Sequence, residues 1–219
     1  MEPMPVLSVL NQKGGVGKTT LATSIATCLS QQKQRVLLID ADNQGSSLDW
    51  KAARGDAPSF PVVGIPKDTI HREISTLARD YDWVVIDGPP RVSAVAKSAI
   101  ASSDIVVIPV QPSPYDVWAA RDIVDLIADV RVVKDLKAVF AVNRKIVGTA
   151  IGRDVEKALA DYPIGVLRAA ICQRVGFAES AAVGKTVLET DTDGVAAKEV
   201  RGLVAEIIEV LNGGGEGAS

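Results

Sequence analysis

Short apolar runs and helix-period segments alternate along the chain from end to end. The runs Val6–Leu10, Arg35–Asp40, Pro61–Ile65, Trp83–Asp87, Ile105–Val110, Ala138–Asn143 and Gly165–Ile171 read as strands. Several are apolar at consecutive positions, the pattern of a strand covered on both faces in a parallel sheet. Helical periodicity falls between them, over Lys18–Gln31, Thr69–Arg79, Val92–Ala101, Asp116–Val130, Ile151–Ala160 and Ala196–Leu211. This alternation predicts a doubly wound α/β domain, its sheet mostly parallel and its helices on both faces. No repeat or interdomain linker interrupts residues 1–212, which are expected to form a single domain. Residues 213–219, GGGEGAS, read as a flexible tail.

Composition narrows the class. Of 219 residues, 47% are apolar and 23% charged, which fits a globular chain and excludes wholesale disorder. No apolar run approaches the roughly 18–20 residues needed to cross a bilayer. The first residues carry an acid where a secretion signal would be basic, so the expected location is cytoplasmic. Cys28 and Cys172 are too few for a disulfide scaffold and are expected to be inert packing residues; the lone His71 leaves no zinc cluster. Net charge is −3, which gives no global sign of a nucleic-acid binder. Within residues 136–178, however, seven basic residues face three acidic ones.

The strongest chemical signal is Lys13-Gly14-Gly15-Val16-Gly17-Lys18-Thr19-Thr20, between the first predicted strand and the first helix. Glycines let the backbone turn its N–H groups toward phosphate oxygens, and the helix N-terminus adds a positive end. In that setting Lys18 reaches the β and γ phosphates and the Thr19 hydroxyl ligates Mg²⁺. Gln12 stands where the ordinary phosphate-loop pattern has its first glycine. The second strand ends in Asp40-Ala41-Asp42 and the fourth in Asp87-Gly88-Pro89-Pro90. Carboxylates at these strand ends line the ligand crevice of a doubly wound sheet, where they can hold a metal or orient water.

These motifs, with IVVIPVQPSPYD and the late stretch ICQRVGFA (Ile171 to Ala178), resemble the ParA-type partition ATPases of the deviant Walker A superfamily. That superfamily also includes the MinD division-site regulators and the nitrogenase iron proteins. The resemblance spans nearly the whole chain and is closest to the small ParA branch. It implies a P-loop ATPase using ATP and Mg²⁺, in which Lys13 crosses a dimer interface to the partner's nucleotide. Asp42 matches the residue that positions the hydrolytic water, Asp40 supports the Mg²⁺ shell and Asp87 is the Walker B carboxylate. Asn43 departs from the family pattern, which usually has proline there.

Asn143, at the end of the sixth predicted strand, either pairs with a purine edge or caps a turn. The segment Asn143-Arg144-Lys145-Ile146 lacks the aspartate of a guanine-reading NKxD, which favours ATP. The family binds DNA through late basic residues, making Arg144, Lys145, Arg153 and Arg168 the candidates. Arg174 is the alternative nucleotide-pocket residue. The function implied is partition of DNA, with plasmid segregation the leading reading and a chromosome or protein cargo the alternative. The chain would dimerise on ATP, bind DNA without sequence preference and leave it when a small centromere-binding adaptor stimulates hydrolysis. A MinD-like membrane cycle fits less well, because the last helix carries Glu199, Glu206 and Glu209 on its polar side. Cluster-based electron transfer fails for want of cysteines near the switch loops. A small-molecule ligase is disfavoured by Lys13 and the late motif.

Overall fold

The computed structural model describes residues 4–149 and 151–213, leaving the side chains of 151–153 outside the description. Seven strands form one sheet: β1 (Val6–Val9), β2 (Val36–Asp40), β3 (Val62–Gly64), β4 (Trp83–Asp87), β5 (Ile105–Val110), β6 (Lys137–Val142) and β7 (Gly165–Val166). Their order is β3-β2-β4-β1-β5-β6-β7, and every pairing is parallel. The helices are α1 (Lys18–Gln31), α2 (Ser46–Ala52), α3 (Ile70–Leu77), α4 (Ala94–Ser102), α5 (Pro114–Ala119), α6 (Arg121–Arg131), α7 (Ile151–Leu159), α8 (Val175–Ala182), α9 (Val187–Thr190) and α10 (Val195–Leu211).

Consecutive apolar residues on each strand feed two different cores. Leu37, Ile39, Val84, Ile86, Val106 and Ile108 pack beneath α3, α4 and α6. Their neighbours Val36, Leu38, Val85, Ile105 and Val107 pack beneath α1 and α10. Each such side chain gains about 1.5–3 kcal/mol on burial. A one-residue slip exchanges the two faces but leaves both apolar, so register here rests on the packing of individual shapes. Strands β1, β2 and β4 end side by side, with Val9 opposite Asp87 and Asp40 opposite Asp87. That alignment brings the phosphate loop and both strand-end carboxylates to one edge of the sheet.

Two predicted elements differ, and three helices are additional. The predicted strand Gly165–Ile171 is a strand only over Gly165–Val166. Beyond it, the backbone N–H groups of Arg168 and Ala169 donate to the carboxylate of Glu206 on α10 instead of to a strand. The predicted helix Asp116–Val130 is two helices, α5 and α6, meeting at Ala120. Helices α2, α8 and α9 were not predicted at all. All three are short, four to eight residues, and two follow loops whose order comes from contacts made far along the chain. Of the predicted tail, only Gly213 falls among the described residues.

Candidate functional site

The segment from Asn11 to Thr20 leaves β1 and turns into α1. Gly17 caps the helix with φ 93°, a left-handed backbone that any side chain would strain. A Cβ there would also collide with the amide of Asn143. The loop is braced from three directions. Asn11, fully buried, donates Nδ2 to the Pro109 carbonyl at 2.7 Å and accepts the Lys13 N–H at 3.1 Å. Gln12 Nε2 donates to Ala119 O at 2.6 Å, and Gln111 Nε2 donates to Gly15 O at 3.0 Å. Gln12 therefore does structural work that a glycine at that position cannot do.

Lys18 is buried and curls back to donate its Nζ to the Lys13 carbonyl at 3.1 Å. Desolvation holds its pKa below the usual lysine range, opposed by the charges of Asp87 and Asp42. Both carboxylates are thus close enough for their charge to be felt at the phosphate lysine. Asp87 is buried, and its Oδ2 accepts from Ser47 Oγ at 2.8 Å. Its Oδ1 has no partner. Burial pushes this carboxyl up to about 7, against the Ser47 hydrogen bond, the nearby Thr19 hydroxyl and the charge of Lys18, and with the charge of Asp40. An orphaned, buried carboxylate oxygen beside a threonine hydroxyl is a fitting place for a hard cation, which takes oxygen ligands.

Asp40 is equally buried but fully engaged. Its Oδ1 accepts the Asp42 N–H, and its Oδ2 accepts those of Ser47 and Leu48 at 2.8 and 3.1 Å. Burial raises its pKa against these bonds. Its carboxylate thus seats the first turn of α2, which carries Ser47 onto Asp87. Asp42 and the exposed Asn43 lie in the turn between β2 and α2, Asp42 accepting the Gln44 N–H at 3.1 Å. Gly88 follows Asp87 where β4 passes Leu10, and a Cβ there would strike that leucine.

Residues 7–187 match the CobQ/CobB/MinD/ParA nucleotide-binding domain family. The chain belongs to this family. It is 31% identical to the "Maintenance of carboxysome distribution protein A" of Halothiobacillus neapolitanus, over 92% of this chain and 95% of that one. It is 28% identical to the "Chromosome-partitioning ATPase Soj" of Thermus thermophilus, over 92% and 94%. Among solved structures, the septum site-determining protein MinD of Pyrococcus horikoshii, complexed with Mg-ADP, superimposes with a TM-score of 0.77. It has 18% identity over 97% of this chain and 99% of that chain, a likeness of fold.

At the other end of the crevice the residues are assembled differently. A cavity of about 980 Å³ is lined by Gly17, Thr20, Asn143, Cys172, Arg174 and Phe177, among others. Asn143 lines it but is already occupied. It donates Nδ2 to Val16 O at 2.7 Å and accepts the Arg144 N–H at 3.0 Å. It thus ties the end of β6 to the phosphate loop. Arg174 reaches Glu199 on α10, Nη2 to Oε1 at 2.6 Å, and this pairing raises its pKa. Cys172 lies outside the sheet, half-buried on the cavity wall, its N–H donated to Glu199. Cys28 is buried in α1 as expected.

The structure scatters the basic candidates. Lys145 pairs with Glu156 at 2.7 Å. Arg168, 82% exposed, pairs with Glu206 at 3.1 Å and Glu209 at 3.5 Å. Arg144 is exposed on a left-handed backbone with φ 53°. The Arg153 side chain lies outside the described residues. Part of the local basic excess of the sequence is therefore offset by carboxylates from α10, at Arg168 and Arg174. Lys13 sits on the rim, its Nζ on Asp116 at 2.5 Å. Sequence reasoning missed Asn11, Gln12, Ser47, Gln111 and Asp116. All are polar residues beside strand ends, and Asp116 and Ser47 are buried, but nothing in their spacing marks them.

Proposed function

We propose that this chain is a Mg²⁺-dependent ATPase that closes into a dimer on ATP, binds DNA without sequence preference and releases it when an adaptor protein speeds hydrolysis. The observation that carries the reading is the buried cluster beneath the phosphate loop: Lys18, facing Asp87 with its free oxygen, beside Thr19. Gly14, Gly15, Val16, Gly17 and Thr20 frame the phosphates with Lys18 and Thr19. Thr19 and Asp87 would hold Mg²⁺, with Asp40 behind them as the anchor of α2. The bound ion neutralises charge on the phosphate oxygens. Asp42, facing Lys18 from the turn before α2, orients the attacking water. Lys13, on the rim, serves the phosphates of the opposite subunit. Asn143 and Arg174 line the base end, with Asn143 also bracing the loop.

The named relatives distribute carboxysomes or partition chromosomes, which supports cargo positioning as the cellular role. The adaptor, a small centromere-binding protein in the case of a plasmid, selects the cargo. Arg144, Lys145, Arg153 and Arg168 are the DNA candidates, the action of Arg168 conditional on escape from Glu206 and Glu209 of α10 and that of Lys145 on escape from Glu156. A cytoplasmic, nucleoid-associated location goes with this role. A membrane cycle is not supported. The apolar face of α10 (Val200, Leu203, Val204, Ile207) is buried against the sheet, and no helix among the described residues is long and apolar enough to cross a membrane.

The test is Lys18→Ala. Nucleotide binding, followed by a fluorescent ATP analogue, and ATP-driven dimerisation, followed by light scattering, should both disappear. ATP-dependent dimers in this variant would overturn the assignment.

A further inference from the structure

Helix α5 has two faces with different chemistry. Its inner face is tied to the phosphate loop. Asp116 is buried to 1% exposure, holds the Lys13 ammonium on one oxygen and leaves Oδ1 with no partner. One turn on, the Ala119 carbonyl accepts from Gln12. Its outer face carries Tyr115 and Trp118, 72% and 66% exposed, packed edge to face with ring centroids 5.4 Å apart. Two large aromatic rings left side by side in water are a costly arrangement for an isolated chain.

We propose that Tyr115 and Trp118 are the apolar anchor on which a second copy of this chain docks, and that Asp116 is the positioning residue that parks Lys13 until it does. This rests on the ATP-dependent dimer proposed above. Three observations select a second copy as the occupant. The aromatic pair is on the helix that grips the phosphate-loop rim through Asp116 and Ala119, so a partner seated there is coupled to the loop. A twofold interface brings each patch onto its own counterpart, and paired Tyr and Trp rings are self-complementary. Tyr and Trp are also the residue types that dominate binding energy at interfaces. Lys13 supplies the third. Lys18 already occupies its own loop, whereas Lys13 is turned sideways onto Asp116, 103 residues away in sequence. In the dimer proposed above Lys13 serves the phosphates of the opposite subunit, and to reach them it has to leave this carboxylate.

Closure in this scheme exchanges ion pairs. Lys13 leaves Asp116 for the phosphates of the opposite subunit, while the aromatic pair is buried on the other face of the same helix. Partner docking and the loop are thereby joined through α5. In the monomer, the Asp116 contact holds back a cation that would otherwise be available to close the dimer.

The experiment uses the full chain with Mg²⁺ and adenylyl imidodiphosphate, with dimerisation measured by sedimentation. Tyr115→Ala and Trp118→Ala should each weaken the dimer about 10-fold or more, as expected for an interface hot spot. Trp118→Phe should recover most of that loss. Monomer affinity for a fluorescent ATP analogue should change less than about twofold, because neither ring reaches the loop interior. Asp116→Asn should favour the dimer by about threefold, the scale of one released, partly exposed ion pair. Adding Lys13→Ala should erase this gain, which a merely structural role for Asp116 would not predict. Aromatic variants that dimerise like a dimerising parent overturn this inference alone. A parent that stays monomeric with nucleotide overturns the dimer reading with it.

Discussion

The two ends of the nucleotide crevice are built on opposite principles. At the phosphate end the polar groups are buried and held by backbone. Asp40 takes three main-chain N–H groups, and Lys18 is bonded to its own loop carbonyl. At the other end, the proposed base end, they are more exposed and held by a side chain from α10, as with Arg174 on Glu199. Backbone-held groups in low dielectric are pre-organised, and their charges act at close to full strength on whatever enters. Side-chain ion pairs near the surface contribute little and rearrange easily. The phosphate end is therefore the rigid chemical part of the site, and the base end the adaptable part.

The sharpest way to break this contrast is at Asp42. Asp42→Ala should leave ATP binding intact while turnover falls about 10²-fold or more, the scale of a lost acid–base group. Dimers should persist on ATP, and phosphate release assays would detect either outcome. Normal turnover would move water activation elsewhere.

A second test uses Asp87. Its folded pKa, about 7, lies above its ordinary value of 3.8, so the folded protein binds this proton more tightly than the unfolded chain. The sign follows from linkage: stability of the metal-free protein falls as pH rises from about 4 through about 7 and then levels off. Asp40, also raised by burial, adds in the same direction. Thermal unfolding at pH 6 should thus occur at a higher temperature than at pH 8. The difference should shrink in Asp87→Asn and when Mg²⁺ and nucleotide are present.

Asn143 tests the join between the two ends. Asn143→Ala removes the bond to Val16 and opens space beside Gly17, so KM for ATP should rise several-fold. Asn143→Asp keeps an oxygen for the Arg144 N–H but sets a carboxylate against the Val16 carbonyl, and should be the worse of the two. Equal KM values in both variants and the parent would remove Asn143 from the loop's support.

The smallest effects belong to the candidate DNA-binding arginines. Replacing Arg153 and Arg168 together with alanine should lower the slope of log K for DNA against log salt by about 1–2 per subunit. Glu206→Gln, which loosens Arg168 from α10, should strengthen DNA binding slightly at low salt. An unchanged slope would shift the DNA surface to other residues.

How much of this was legible beforehand follows the same division. The phosphate loop, the two strand-end aspartates and the strands beneath them were readable because each is a contiguous run whose chemistry is local. A glycine turn, a helix start and a carboxylate at a strand end need no distant partner to be recognised. The short helices α2, α8 and α9 were not readable. Four to eight residues carry too little periodicity, and α2 is seated by Asp40 and Ser47 contacts that only the folded strand ends supply. The predicted last strand is interrupted for a related reason: its Arg168 and Ala169 amides go to Glu206, while those of Leu167 and Ile171 still reach β6.

By itself the sequence determined the doubly wound architecture, because runs apolar at every position can be satisfied only between two layers of helices. It also determined the phosphate cradle, since a glycine loop between strand and helix aims backbone N–H groups wherever it occurs. Tertiary structure alone decided which charges are free. Glu199 and Glu206 reach across from α10 to occupy Arg174 and Arg168, and Asp116 reaches Lys13 from 103 residues away. Charge is additive along a sequence but pairs through space, so part of a basic stretch in one dimension is neutralised in three.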